Sequence, residues 1–290
     1  MSSSICQEAA IKANLSKKDI SSLLDLARET SKIGGEVLMD QLGKIKSIQT
    51  KSCKTDLVTN ADLEAEEKII KYLNSNTPEI TILAEETGLS AEGNSLTWCI
   101  DPLDGTTNYA NGYPFFATSI GLLWQNQPIL GAICIPFINE IFTGAPGIGS
   151  FCNSDKIKVS NKTKLEDSLL VTGFSYDRKS RTDNNYAEFA WLTHITRGVR
   201  RGGAAAVDLA FVANGRLDGY WERGLAKWDL AAGVPIVEMA GGQISNYPTG
   251  EFDISNGRIL AASPSISKEL KEELLKVKPL EKRFFCEQEL

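Results

Sequence analysis

From Trp98 to Asn108 the chain reads Trp-Cys-Ile-Asp-Pro-Leu-Asp-Gly-Thr-Thr-Asn, so two carboxylates, a glycine and two hydroxyls arrive where an apolar run stops. Thr97 to Ile100 has the make-up of a short buried strand, and the Asp-Pro and Asp-Gly steps that follow are turn signals. Asp101 and Asp104 therefore fall at a strand's carboxyl end. Hard oxygen ligands at such a point suit Mg²⁺, which takes one or two carboxylates and completes its octahedron with water and substrate phosphate. Gly105 lets a phosphate approach the backbone, and Thr106 offers a hydroxyl. An aspartate-rich turn with no ligand would contain the same residues, and this stretch alone does not separate the two readings.

Two further segments carry matching chemistry: Ala84-Glu85-Glu86-Thr87 upstream and Trp228-Asp229-Leu230-Ala231-Ala232-Gly233 downstream. In this order, over roughly Leu23 to Ser263, the three segments closely resemble the inositol monophosphatase family of Mg²⁺-dependent, lithium-sensitive phosphatases. The resemblance implies that Glu85, Asp101, Asp104 and Asp229 are side-chain metal ligands and that Leu103 contributes its carbonyl. Asp101 would bridge two Mg²⁺ ions about 4 Å apart, an arrangement suited to in-line phosphoryl transfer. Glu85 and Leu103 would belong to the first ion, Asp104 and Asp229 to the second.

By the same resemblance, Asp56 in Lys54-Thr55-Asp56-Leu57-Val58-Thr59-Asn60-Ala61-Asp62 would partner Thr106 in orienting and deprotonating the attacking water, with Glu85 assisting. Gly105 and Thr106 would contact phosphate. Glu222 would bind substrate hydroxyls, and the loop Gly203-Ala204-Ala205 would approach the polyol. Each residue also has a plainer reading. Asp229 can sit at a helix N-terminus because the dipole favours it there, Glu85 and Glu86 can be an exposed acidic pair, Asp56 can cap a helix, and Glu222 can pair with Arg223.

The implied activity is hydrolysis of inositol 1-phosphate or a similar polyol or sugar phosphate, in a homodimer. Thr107-Asn108 is the form found in inositol-phosphatase-like members; the histidinol and nucleotide phosphatase branches often carry a lysine after the first threonine. Ala226-Lys227 and Gly202-Gly203-Ala204 depart from the usual pattern, which bears on the substrate more than on the chemistry. Fructose 1,6-bisphosphate and histidinol phosphate are the alternatives within the same chemistry. A non-catalytic metal or sugar-phosphate sensor acting through a partner is the alternative outside it.

The rest of the sequence narrows the classes. A net charge of −6 argues against general nucleic-acid binding. The six cysteines show no CxxC spacing and no dense framework, so neither a zinc ribbon nor a disulfide scaffold is indicated. His194 is the only histidine, which leaves little scope for a Ser-His or Cys-His nucleophile pair. No apolar run approaches the roughly 20 residues of a membrane span, and the N-terminus lacks the pattern of a secretory signal, so a cytoplasmic protein with no membrane association is expected.

The elements that must hold these residues follow from periodicity. Ser21–Leu42 has helical apolar spacing. A second helix begins at Thr59 or Asn60, with Glu64, Glu66, Glu67, Lys68 and Lys71 on its solvated face. Strands are predicted near Ile80–Ala84, Trp98–Ile100, Ala117–Trp124, Ile129–Ile135, Glu140–Gly144, Ser168–Phe174, Leu217–Trp221 and Arg258–Ala262. Helices are predicted at Asn184–Thr196, Ala204–Ala213, Trp228–Ala240 and Ser267–Val277. Pro235 should kink the Trp228–Ala240 helix or lie near its start. No linker or repeat divides the chain, so residues 1–290 are expected to form a single catalytic unit with room for two lobes, preceded by a flexible segment over 1–20. The pattern indicates an α/β fold with mixed, substantially antiparallel sheets, which the resemblance refines to a layered αβαβα sandwich.

Overall fold

A computed structural model describes residues 4–44, 47–50, 57–90 and 95–280. In chain order they form α1 (Ile5–Lys12), α2 (Lys17–Gln41), β1 (Ile48–Thr50), β2 (Leu57–Thr59), α3 (Asn60–Asn76), β3 (Thr81–Ala84), β4 (Gly88–Leu89), β5 (Leu96–Asp104), α4 (Thr106–Ala110), β6 (Ala117–Trp124), β7 (Gln127–Ile135), β8 (Glu140–Ala145), β9 (Gly149–Cys152) and β10 (Asp155–Lys156). After these come β11 (Leu169–Thr172), α5 (Tyr186–Ile195), β12 (Gly198–Arg200), α6 (Ala205–Ala213), β13 (Gly219–Arg223), α7 (Lys227–Ala231), α8 (Gly233–Met239), β14 (Gln243–Ser245), β15 (Arg258–Ala262) and α9 (Pro264–Lys276).

Side chains alternate across a strand, so each apolar strand can feed two cores at once. In β5, Trp98 and Ile100 join Leu24 of α2 and Ile69 of α3, while Cys99 faces the helices on the other side. Likewise Leu170, Trp221 and Leu260 face α5 and α9, while Val171, Tyr220, Ile259 and Ala261 face α6 and α8. The result is five layers: α2 and α3, the sheet β10-β9-β8-β7-β6-β5-β3-β4, the helices α6 to α8, the sheet β12-β11-β13-β15-β14, and α5 with α9. The larger sheet is antiparallel except where β3 pairs with β5; the smaller is parallel at β11 and antiparallel at β15. This is the layered α/β fold expected.

One row of glycines sets how closely the middle layer lies on the larger sheet. Gly121, Gly131 and Gly144 are direct cross-strand partners on β6, β7 and β8. A Cβ on them would stand 2.6 Å from Ala231, 2.4 Å from Ala232 and 2.6 Å from Ile236 respectively. The backbone of α7 and α8 therefore lies directly on the sheet, and this contact fixes the height of Asp229.

Three expectations need correction. The segment 1–20 is not a flexible tail over its described part: α1 buries Cys6, Ala9 and Ala10, and Glu238 of α8 accepts the Ser4 hydroxyl and the Ile5 and Cys6 amides at 2.8, 2.8 and 3.0 Å. Without the tertiary partner, a short helix of modest amphipathicity leaves little trace in the sequence. The helix expected over Trp228–Ala240 is two helices, interrupted at Ala232, with Pro235 in the first turn of the second, where its missing N–H costs nothing. Glu66 is not on a solvated face but is 1% exposed.

Candidate active site

The site begins with a fault in a strand. Asp101 and Asp104 are three residues apart, an odd separation that in regular β structure sends side chains to opposite faces. The ladder between β5 and β6 shifts between Asp101, opposite Ser119, and Asp104, opposite Ala117, so β5 carries one extra residue there. This bulge brings both carboxylates to the same side. Thr118 holds the bulge by donating its hydroxyl to the Pro102 carbonyl at 3.0 Å, and the Leu103 amide donates to Asp101 at 3.0 Å.

Asp229, in the first turn of α7, completes a triad: Asp101, Asp104 and Asp229 offer carboxylate oxygens that all lie within 4.8 Å of one another. Asp104 is gripped from α6, whose Ala205 and Ala206 amides donate to its two oxygens at 3.1 and 2.8 Å. Asp229 accepts the Ala226 amide at 2.7 Å. Its helix-terminal reading is therefore also correct, because one oxygen caps α7 while the group as a whole faces the other carboxylates.

Burial and mutual repulsion act together on this cluster. Desolvation first, then the charges of Glu85 and Asp104, push Asp101 far above the usual carboxylate range. Asp229 is raised in the same way by desolvation, Asp104 and Glu85. Asp104 is raised only to about 7, because the α6 amides offset part of the desolvation. Glu85, at the end of β3, is thus tied to the triad electrostatically and hydrogen-bonded to Asp101. Such a group of acids is held close at a free-energy cost that a divalent cation would remove.

Thr106 opens α4 directly after Gly105. The glycine has φ +89°, and a Cβ there would stand 2.9 Å from the Phe115 carbonyl, so no other residue fits this turn without strain. The Thr106 hydroxyl lies 3.1 Å from both Asp62 and the Leu103 carbonyl. Among the described residues, the acid bonded to Thr106 is Asp62. Asp56, expected as the partner of Thr106, lies outside the described residues.

Asp62 also closes a capping box at the start of α3, accepting the Thr59 amide at 2.8 Å and the Thr59 hydroxyl at 2.6 Å. One turn on, Glu66 accepts the Glu86 and Thr87 amides at 2.9 Å each and so fixes the loop that carries Glu85. The signal for both was present in the sequence. Asp62, Glu66, Ile69 and Leu73 follow i, i+4, i+7 spacing, so the two acids lie on the same stripe as the buried apolar residues.

Glu222, on β13, lies 8% exposed against Gly173 and accepts the Tyr220 hydroxyl at 2.6 Å. Its pairing with Arg223 does not occur, because Arg223 turns to Asp177 at 2.8 Å and Asp183 at 3.6 Å. Desolvation raises Glu222 to about 7 against the help of Tyr220 and Arg201. Gly203, Ala204 and Ala205 form the turn into α6, and Asn108 holds that turn by donating to the Gly202 carbonyl at 3.0 Å and the Phe115 carbonyl at 2.7 Å. His194 is exposed on α5, and Cys99 and Cys134 are buried with their thiols pushed up by desolvation, so none of the three has a nucleophile's setting.

Comparison with known proteins gives a consistent result. The model of the inositol monophosphatase family matches residues 19–279. An inositol-1-monophosphatase of Synechocystis is 48% identical over 267 residues, 92% of this chain and 93% of its own. A fructose-1,6-bisphosphatase/inositol-1-monophosphatase of Aquifex aeolicus is 37% identical over 245 residues, 83% of this chain and 92% of its own. The solved inositol monophosphatase of Anabaena superposes with a TM-score of 0.83 at 47% identity, covering 90% of this chain and 98% of that one.

Proposed function

We propose a cofactor and a substrate for this chain from one premise: it belongs to the inositol monophosphatase family and is a phosphatase. The cofactor is Mg²⁺, and the substrate is inositol 1-phosphate or a polyol or sugar phosphate of similar size. The observation that carries the reading is the triad of Asp101, Asp104 and Asp229, whose oxygens lie within 4.8 Å of one another, with Asp101 and Asp104 buried. An all-oxygen donor set with excess negative charge fits Mg²⁺ better than a softer metal. Asp101, Asp104, Asp229 and Glu85, with the Leu103 carbonyl, are the groups that would hold it. Bound there, the metal would supply an activated water and charge neutralisation at the leaving oxygen.

The chain's own residues do the rest. Thr106, whose hydroxyl Asp62 holds, orients a water together with Asp56, which lies outside the described residues, and Glu85 assists. Gly105 leaves the backbone open to the phosphate. The α6 amides fix Asp104, so this carboxylate needs no reorganisation as charge develops. Glu222, set by Tyr220, accepts from substrate hydroxyls. The same arrangement supports a sugar bisphosphate as second reading, in keeping with the double name of the Aquifex relative. A homodimer is part of the proposal; among the described residues no helix is long and apolar enough to cross a membrane.

Relative kcat/KM on inositol 1-phosphate, fructose 1,6-bisphosphate, histidinol phosphate and 3′-phosphoadenosine 5′-phosphate tests the substrate. Inositol 1-phosphate should exceed the last two, since Thr107 brings no cation beside the phosphate. A clear preference for either of those two would overturn the assignment, and Mg²⁺-dependent release from any substrate would reject a pure sensor.

A further inference from the structure

One cation at this acidic site has no role in the scheme above. Arg201 immediately precedes the Gly202–Gly203 turn into α6, and its side chain is exposed. Its guanidinium is nevertheless not directed away from the site. It folds back over Gly203, with Nη1 2.3 Å from where a Cβ would stand and Cζ 3.4 Å away, so the glycine forms a cradle that any side chain would fill. The turn itself adjoins the phosphate loop, for the Gly203 carbonyl lies 3.4 Å from the Cβ position of Gly105.

Two buried acids lie in the field of this guanidinium. Asp208, on α6, is 1% exposed, and its Oδ1 has no hydrogen-bond partner among the described residues. It packs against Gly202, 2.1 Å from that residue's Cβ position. Glu222 is the other, and the charge of Arg201 is felt at both. Yet no described carboxylate comes within salt-bridge distance of Arg201, although Arg181, Arg197, Arg216, Arg223 and Arg258 all have such a partner. Arg201 thus lies over the turn into α6 with Asp208 and Glu222 in its field and no described carboxylate taking its donors.

We propose that Arg201 is a specificity-determining residue that binds a second anionic group on the substrate, at the end remote from the phosphate being cleaved. A planar fork of N–H donors suits a phosphate or carboxylate. Placed beside Glu222, it divides the polyol end of the site into a part that accepts hydroxyls and a part that accepts an anion. The substrate class therefore extends to sugar bisphosphates and to phosphate esters that carry a carboxylate. This rests on the phosphatase reading above and adds the group that reads the far end of the ligand.

Fructose 1,6-bisphosphate and fructose 1-phosphate differ only in the second phosphate, so the ratio of their kcat/KM values isolates it. The wild-type enzyme with Mg²⁺ should favour the bisphosphate by about ten-fold, the size expected of one charge-assisted hydrogen bond in a partly exposed site. Arg201→Gln should bring the ratio close to one by loss on the bisphosphate alone. Arg200→Gln, on the neighbouring exposed arginine of β12, should leave it unchanged. A ratio that stays the same in Arg201→Gln, falls equally in Arg200→Gln, or is already near one in the wild type would overturn the assignment. Release of phosphate from neither fructose ester would overturn the sugar-phosphate reading itself, and the role of Arg201 with it.

Discussion

At the scale of single residues, the site is a set of acids held where acids do not belong. Desolvation is the main cause for all three that titrate in an accessible range: Asp62 is raised to about 6, and Asp104 and Glu222 to about 7. A carboxyl with a folded pKa above its unfolded value of about 4 stabilises the protein most at low pH and loses that stability as pH rises through the folded value. The metal-free protein should therefore have its Tm fall between pH 5 and pH 8, and Mg²⁺ should raise Tm more at pH 8 than at pH 5. A Mg²⁺-induced shift of the same size at both pH values would show that the acids are not coupled to the metal. Much of this was legible in the residue types, since Asp101, Asp104 and Asp229 stand in recognisable segments. Asp62 and Glu66 were missed because a carboxylate on a helix is usually solvated, and only their register with Ile69 and Leu73 distinguishes them from Glu64 and Glu67.

At the scale of elements, two irregularities build the site. The bulge in β5 turns two aspartates to one side, and the glycine row lets α7 lie low enough to bring the third to them. Neither was read in advance. Strand boundaries such as Ala117–Trp124 and Arg258–Ala262 follow from apolar periodicity, but a bulge is a property of pairing and a row across three strands depends on register. The hairpin between β6 and β7 turns at Gln125 and Asn126, both with positive φ. The glycine row can be tested directly. In Gly131→Ala the new methyl would stand 2.4 Å from the Ala232 backbone, which has no flexible side chain to move aside. Overpacking should cost about 1–3 kcal/mol in urea unfolding and, by lifting α7, raise the Mg²⁺ concentration needed for half-maximal activity. Unchanged stability together with an unchanged Mg²⁺ requirement would contradict the account of how Asp229 is held.

At the scale of the whole molecule, four of the five layers converge on one site. The outer helix α3 supplies Asp62, the larger sheet supplies Glu85, Asp101 and Asp104, the middle helices supply Asp229 and the amides on Asp104, and the smaller sheet supplies Glu222. The α/β class with mixed sheets was legible from the strands and amphipathic helices and the five-layer order from the family resemblance, whereas the docking of α1 through Glu238 was not, being a contact between residues more than 230 positions apart. The central claim is that the converging carboxylates hold Mg²⁺ for phosphomonoester hydrolysis. The most direct test is phosphate release from inositol 1-phosphate against Mg²⁺ concentration, for the wild type, Asp104→Asn and Asp229→Asn, with melting curves on the same samples. The wild type should lose activity in chelator and regain it with Mg²⁺. Each variant should melt as a folded protein yet turn over roughly 100-fold or more slowly at saturating substrate, having lost a charge worth several kcal/mol to the reaction. Near-normal turnover of either variant at ordinary Mg²⁺, or wild-type activity undiminished in chelator, would contradict it.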